Sequence, residues 1–256
     1  MWQLFLMVGL FGALIGSFLN VCIYRLPRHE SIVWPGSHCP ACSKPIAWYD
    51  NVPILGYLML AGRCRVCSIR IPLHYPVVEA LNAAGYLAIL WCFGPTIEAA
   101  VYAVLFSALL VVAGTDLSHK IIPNAITFPG IVLGLISAAT VLPLGLLNSL
   151  IGLSVGGGIL WLLAWASPYL FGKEGMGGGD IKLLAMIGAF LGWKLALLTI
   201  MIGSLVGSVV GVSLLAAQVI KREDYIPFGP FLVLGAVISL FFGIAILDWY
   251  QGLLAG

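Results

Sequence analysis

Long apolar runs separated by short polar connections dominate the chain. Runs near the roughly 20 residues that cross a bilayer occupy about 2–24, 76–93, 97–115, 124–142, 146–168, 181–198, 199–219 and 228–249. The pattern predicts an all-α, polytopic integral membrane protein with about eight transmembrane helices. Only a short break at Gly192–Trp193–Lys194 separates the two runs within 181–219, so seven spans is the neighbouring reading. The first run has no basic start and no small-residue cleavage site, and it exceeds a signal-peptide core. It reads as a retained helix. One polar stretch, 25–75, is long enough to fold outside the bilayer. The expected organisation is a first helix over 1–24, an inserted cytoplasmic domain over 25–75, and a membrane-embedded domain over 76–256.

Composition agrees with this. Charged residues make up 9% of the 256 and apolar ones 61%, with a mean hydropathy of +1.09. Ordinary soluble domains carry about 25% charged residues. The few cations are unevenly placed. Eleven of the twelve lysines and arginines fall on alternate connections, and Lys194 alone falls on the other side. Positive residues mark the cytoplasmic side, so segment 25–75 faces the cytoplasm and both termini face out. Lipid is the surface partner. No basic arm or patch with interleaved aromatics suggests nucleic acid.

Segment 25–75 holds two C-x2-C pairs, Cys39/Cys42 and Cys64/Cys67, with 21 residues between them. Two such pairs read as four thiolate ligands to one tetrahedral zinc ion. The alternative, two disulfides, is disfavoured in a reducing cytoplasm. A four-thiolate shell leaves no open position, so the ion is expected to be structural. The nearby His29, His38 and His74 read as solvated loop residues.

With charge so scarce, acids at membrane depth are candidate functional groups. Asp116 ends the third run in "AGTDLSHKIIPN", and Asp180 opens the sixth in "GMGGGDIK". Both are expected at the cytoplasmic surface. If they converge, two adjacent carboxylates share one proton, and the ionised member can take a proton from water while the protonated member polarises a carbonyl. Gly177, Gly178 and Gly179 free the backbone to adopt strained dihedrals and to approach a peptide closely. Lys182 and Glu174 flank this stretch and bear on the Asp180 charge. The plain alternative makes Asp180 a helix N-cap and Asp116 a solvated helix end. The glycine stretch lacks the GxxxxGK[ST] spacing of a phosphate loop. Asn20, polar within an apolar run, needs a hydrogen-bond partner. Arg25 reads equally well as a positive-inside anchor.

Six blocks in order resemble the type IV prepilin peptidases, a family of GxGD-type intramembrane aspartic proteases. These are "GSFLNVCIYRLP" (16–27), the four cysteines, "YPVVEALNA" (75–83), "DLSHKIIPNAITFP" (116–129), "GMGGGDIK" (175–182) and "DYIPFGPFL" (224–232). The resemblance implies a bacterial inner-membrane enzyme whose substrates are prepilins and pilin-like secretion proteins (pseudopilins). It would remove their leader at the cytoplasmic face and then methylate the new N-terminal amine with S-adenosylmethionine. It carries the two catalytic aspartates onto Asp116 and Asp180, and the zinc ligands onto Cys39, Cys42, Cys64 and Cys67. Asn20, Arg25 and Glu79 fall in its blocks and are candidates for the methyl-transfer region. The rival classes are a multi-pass transporter relaying protons and a zinc-dependent membrane scaffold. Both acids lie at one face, which disfavours the transporter, and a scaffold would tolerate asparagine at both aspartates.

Overall fold

The computed structural model describes residues 1–171, 177–219, 221 and 226–255. Eight α-helices follow in order: α1 Trp2–Arg25, α2 Leu55–Met59, α3 His74–Phe93, α4 Ile97–His119, α5 Asn124–Thr140, α6 Gly145–Phe171, α7 Gly178–Ala216 and α8 Gly229–Ala255. No β-strand forms among the described residues beyond two isolated bridges. Large apolar side chains face outward all along these helices, among them Leu6, Leu10 and Leu14 on α1, Trp161 and Trp165 on α6, and Leu205, Val209 and Val212 on α7. A water-facing surface would not carry such continuous apolar stripes. The protein is a multi-pass membrane protein.

Helix length and composition alone do not return the expected eight spans. Six helices among the described residues are long and apolar enough to cross a bilayer, and α5 is a shorter apolar helix. Two causes account for the difference. The run at 124–142 yields only the 17 helical residues of α5, about 25 Å at 1.5 Å per residue. The runs at 181–198 and 199–219 fuse into α7, whose 39 residues would reach about 58 Å if straight, nearly twice the hydrocarbon core. The continuity is broken within it. Gly192 has φ 77° and ψ 173°, a backbone conformation that residues with a Cβ rarely adopt.

The chain divides into two compact units, Met1–Val111 and Val112–Gly256, with the boundary inside α4. In the first unit, α1 packs on α3 through buried polar contacts. Asn82 Nδ2 donates to the Gly12 carbonyl at 2.7 Å, and the Ser107 hydroxyl of α4 donates to Asn82 Oδ1 at 3.0 Å. In the second unit, α7 packs on α5, α6 and α8. Its first half supplies much of the core, with Leu183, Leu184, Met186, Ile187 and Phe190 almost fully buried.

The α6–α7 crossing depends on two missing side chains. A Cβ on Gly188 would lie 2.1 Å from the Gly152 carbonyl oxygen, and one on Gly152 would lie 2.2 Å from the Gly188 oxygen. Backbone stands on both sides, so neither helix can give way locally. Such close approach of small residues is a usual basis of helix association in membranes. Gly188→Ala is therefore expected to lower the melting temperature of the detergent-solubilised protein by several degrees, as overpacking costs about 1–3 kcal/mol. Gly158→Ala, which meets nothing within 4 Å, should leave it unchanged. Equal melting of the two variants would contradict the close crossing.

Candidate active site and metal centre

The two cysteine pairs fold into near-identical turns. In the first, the Cys39 N–H donates to the Lys44 carbonyl (2.9 Å), the Ser43 N–H returns to the Cys39 carbonyl (2.8 Å), and the Ile46 N–H reaches the Ser37 carbonyl (2.9 Å). The second repeats this as Cys64 to Ile69 (2.9 Å), Ser68 to Cys64 (2.9 Å) and Ile71 to Gly62 (2.8 Å). Ser43 and Ser68 carry the same positive φ, 56° and 57°, which carries the chain sharply past each second cysteine. The bridges His38–Pro45 and Arg63–Arg70 close the two turns.

The four sulfurs then lie within 4.8 Å of one another. Cys39 Sγ and Cys67 Sγ are 3.8 Å apart, and all four residues are free thiols rather than disulfides. A tetrahedral ion bound by sulfur at about 2.3 Å requires sulfur–sulfur edges of about 3.8 Å. The cluster fits a zinc site, and among the described residues no histidine joins it. The backbone amides of Cys67, and then of Val66, draw the Cys64 thiol down to about 6, which favours the thiolate that a metal needs. Between the two turns, Arg65 Nε donates to Asp50 Oδ2 at 2.7 Å in a forked pair. Arg65 thereby holds the Asp50 carboxyl below the usual carboxylate range.

The acids occupy one corner of the second unit, and four helix ends build it. Asp116 lies in the last turn of α4 and Asp180 in the first turn of α7. The N-terminus of α8 meets Asp116 directly, since the Gly229 N–H donates to Asp116 Oδ2 at 2.9 Å. A Cβ at Gly229 would lie 2.6 Å from that oxygen, so no side chain fits there. The N-terminus of α5 meets that of α7, with Lys182 Nζ donating to Asn124 Oδ1 at 2.8 Å. The positive ends of three helices, α5, α7 and α8, thus converge where two carboxylates stand, and such ends favour negative charge.

Asp116 and Asp180 are both 4% exposed, and the Asp116 carboxylate lies close enough for its charge to act on Asp180. Asp180 Oδ1 is buried with no hydrogen-bond partner among the described residues, as are His119 Nδ1 and Thr127 Oγ1. An unpaired buried polar atom costs about 1–3 kcal/mol, and natural folds keep one mainly where something else supplies the bond. Chemically, the corner can hold a shared proton and present an unsatisfied carboxylate oxygen to a reacting group.

The glycine stretch differs from its expected form. Gly177 is the N-cap of α7 in an ordinary extended conformation (φ −77°), and Gly178 and Gly179 already form its first turn. None of the three has a positive φ. Lacking a Cβ matters here for space rather than for strain. A Cβ on Gly179 would come within 2.9 Å of the Ile122 side chain, whereas one on Gly178 would meet none of the described residues within 4 Å. Glu174 lies outside the described residues.

The three candidates of the first unit occupy the C-terminal end of α1 and the N-terminal part of α3. Asn20 Nδ2 donates to the Tyr75 carbonyl at 3.0 Å, while its Oδ1 is buried without a partner among the described residues. Arg25 donates to the Ser31 carbonyl at 2.9 Å and the Gly36 carbonyl at 3.3 Å. Glu79 Oε2 accepts the Ile54 N–H at 2.7 Å. Sequence reasoning had missed the donor at Gly229 and the acceptor at Asn124. The Gly229–Pro230 pair was the available signal, since proline favours the first turn of a helix.

Comparison with known proteins covers most of the chain. Residues 10–93 match the family described as the bacterial peptidase A24 N-terminal domain, and residues 103–212 match the type IV leader peptidase family. The chain is 35% identical over 278 residues to the prepilin leader peptidase/N-methyltransferase of Aeromonas salmonicida (strain A449), covering 97% of this chain and 94% of that protein. It is 37% identical over 259 residues to the protein of the same name from Pseudomonas aeruginosa, covering 91% and 89%. With the one from Myxococcus xanthus the identity is 41% over 209 residues, covering 80% and 62%. No solved structure matches the chain.

Proposed function

The chain belongs to the prepilin leader peptidase/N-methyltransferase family, and from that premise we propose that its acid corner cuts the leader from type IV prepilins and pilin-like secretion proteins. The observation that carries the assignment is the burial of Asp116 and Asp180 together among three helix N-termini, with one Asp180 oxygen left unsatisfied. The ionised carboxylate takes a proton from water, and the oxygen so activated attacks the scissile carbonyl carbon. The protonated partner donates a hydrogen bond to the carbonyl oxygen, and the first carboxylate passes the proton it took from water to the departing amine as the C–N bond breaks. The Gly229 amide holds Asp116 in place throughout. None of the described residues crowds Gly178, which leaves an extended substrate backbone room to lie beside Asp180. A pilin whose scissile bond sits just before its membrane helix presents that bond at this depth.

The four cysteines hold one structural zinc ion, which orders the cytoplasmic segment 25–75 and takes no part in hydrolysis. The second activity, methylation of the exposed N-terminal amine, is assigned to this segment, with S-adenosylmethionine supplying the methyl group. Asn20, Arg25 and Glu79 do not by themselves make a pocket for that donor. Arg25 and Glu79 are spent on loop backbone, and only Asn20 Oδ1 is left without a partner. The enzyme works in the bacterial inner membrane with its acids at the cytoplasmic face, an orientation that the bias of eleven of twelve cations supports.

The test is reconstitution of the purified protein in liposomes with a prepilin and methyl-labelled S-adenosylmethionine. The expected products are a shortened pilin and label on its new N-terminal residue. An intact prepilin would overturn the peptidase reading, and a shortened but unlabelled pilin would overturn the methyltransferase reading alone.

A further inference from the structure

Ile54 is the strained point of the cytoplasmic segment. Its backbone has φ 61° and ψ −52°, and the Leu55 N–H donates to the Pro53 carbonyl across it at 2.6 Å. This is the γ-turn of positive φ, a rare and strained form, here imposed on a β-branched residue that avoids positive φ more than most. Such a conformation persists only where the surroundings over-determine it. What determines it is a carboxylate from a spanning helix, because the Ile54 N–H is the group that Glu79 Oε2 holds at 2.7 Å.

Glu79 is well placed to act as a fixed post. It is 8% exposed, and α1 presses against its backbone, where a Cβ on Gly16 would come within 2.7 Å of Glu79 Cα. From Ile54 the linkage runs outward. The turn caps α2, whose Gly56 lies so close to the Asp50 carbonyl that a Cβ would stand 2.2 Å from its oxygen. The Asp50 carboxylate in turn grips Arg65, which lies between Cys64 and Cys67. A continuous path therefore joins α3 to the second cysteine turn.

We propose that Glu79 is a positioning residue, whose carboxylate accepts the Ile54 amide, holds the strained turn, and fixes the segment between the two cysteine pairs for methyl transfer. The purpose rests on the reading of segment 25–75 as the methyl-transfer region. An acid–base role for Glu79 would need a free oxygen facing the substrate, whereas Oε2 is spent on a backbone amide.

The experiment measures hydrogen exchange at the Ile54 amide in liposome-embedded wild type, Glu79→Gln and Glu79→Ala. Leader cleavage and methyl transfer onto a pre-cleaved pilin are followed on the same preparations. In Glu79→Ala, protection at Ile54 and the methyl-transfer rate should each fall about tenfold or more, as expected for the loss of a buried charge-assisted bond, while cleavage stays near wild type. Glu79→Gln keeps an acceptor oxygen and should restore both quantities to near wild type. Adding Ile54→Gly to Glu79→Ala removes the steric cost of the turn and should recover methyl transfer, which separates a lost latch from a misfolded protein. Methyl transfer lost in Glu79→Gln with Ile54 still protected would overturn the proposal in favour of direct chemistry by Glu79. Unchanged protection in Glu79→Ala would remove the latch itself. A wild type that cleaves but transfers no methyl group would remove the assigned purpose, and the exchange comparison would still decide whether the latch exists.

Discussion

Asp116→Asn and Asp180→Asn are each expected to lower leader cleavage roughly a thousandfold or more, because general acid–base groups acting as one unit fail together when either is lost. The substitution separates chemistry from architecture. Asparagine has nearly the volume of aspartate, and its amide oxygen can still accept the Gly229 N–H that Asp116 receives at 2.9 Å. Asp180 Oδ1 has no hydrogen bond to lose among the described residues. Both variants should therefore insert at normal levels and melt close to wild type while lacking the group that ionises. Methyl transfer onto a pre-cleaved pilin should be largely retained, since both aspartates belong to the second unit and segment 25–75 to the first. Near-normal cleavage by either variant would reduce that aspartate to a helix-end residue, as the capping alternative holds.

Cys67→Ser is expected to have the second largest effect, on metal content and on the order of segment 25–75. The two cysteine turns share little packing of their own. Trp34, Trp48, Leu58 and Met59 around them are largely exposed, so the segment lacks the buried apolar surface that would hold it without an ion. In small four-thiolate sites the metal-binding energy, about 10–16 kcal/mol, is folding energy. Removing one ligand should drop the zinc content from one per chain towards none and open the segment to proteolysis. Methyl transfer should fall much further than cleavage. The measurements are metal analysis, limited proteolysis and both activities on one preparation. Equal loss of the two activities would sink the division of labour, and full zinc retention with only three cysteines would sink the four-thiolate site.

Much of this was legible in the residues themselves. The C-x2-C pairs carry their own geometry, because a spacing of two lets both sulfurs face one ion, and the structure brings all four within 4.8 Å. Asp116 and Asp180 stood out because charge is so rare in the chain, though only tertiary packing brings their helices together. Hydropathy reports where apolar residues run, so it separated the two halves of α7, whose backbone breaks at Gly192, and it ran past the end of α5 at Thr140. A glycine string reads as flexible backbone, yet Gly178 and Gly179 form the first turn of α7, and Gly179 lies against Ile122. The donor at Gly229 had no sequence signal beyond Gly229–Pro230. Its contact spans 113 positions, a separation that local patterns do not encode.

The claim that two carboxylates share the work of hydrolysis is tested most directly by the pH dependence of leader cleavage by the wild-type enzyme in liposomes. One acid must be ionised and its partner protonated, so the rate should rise and then fall across the acid-to-neutral range, with both apparent values belonging to the pair. A rate that stays flat across that range would contradict the shared proton and the paired mechanism with it.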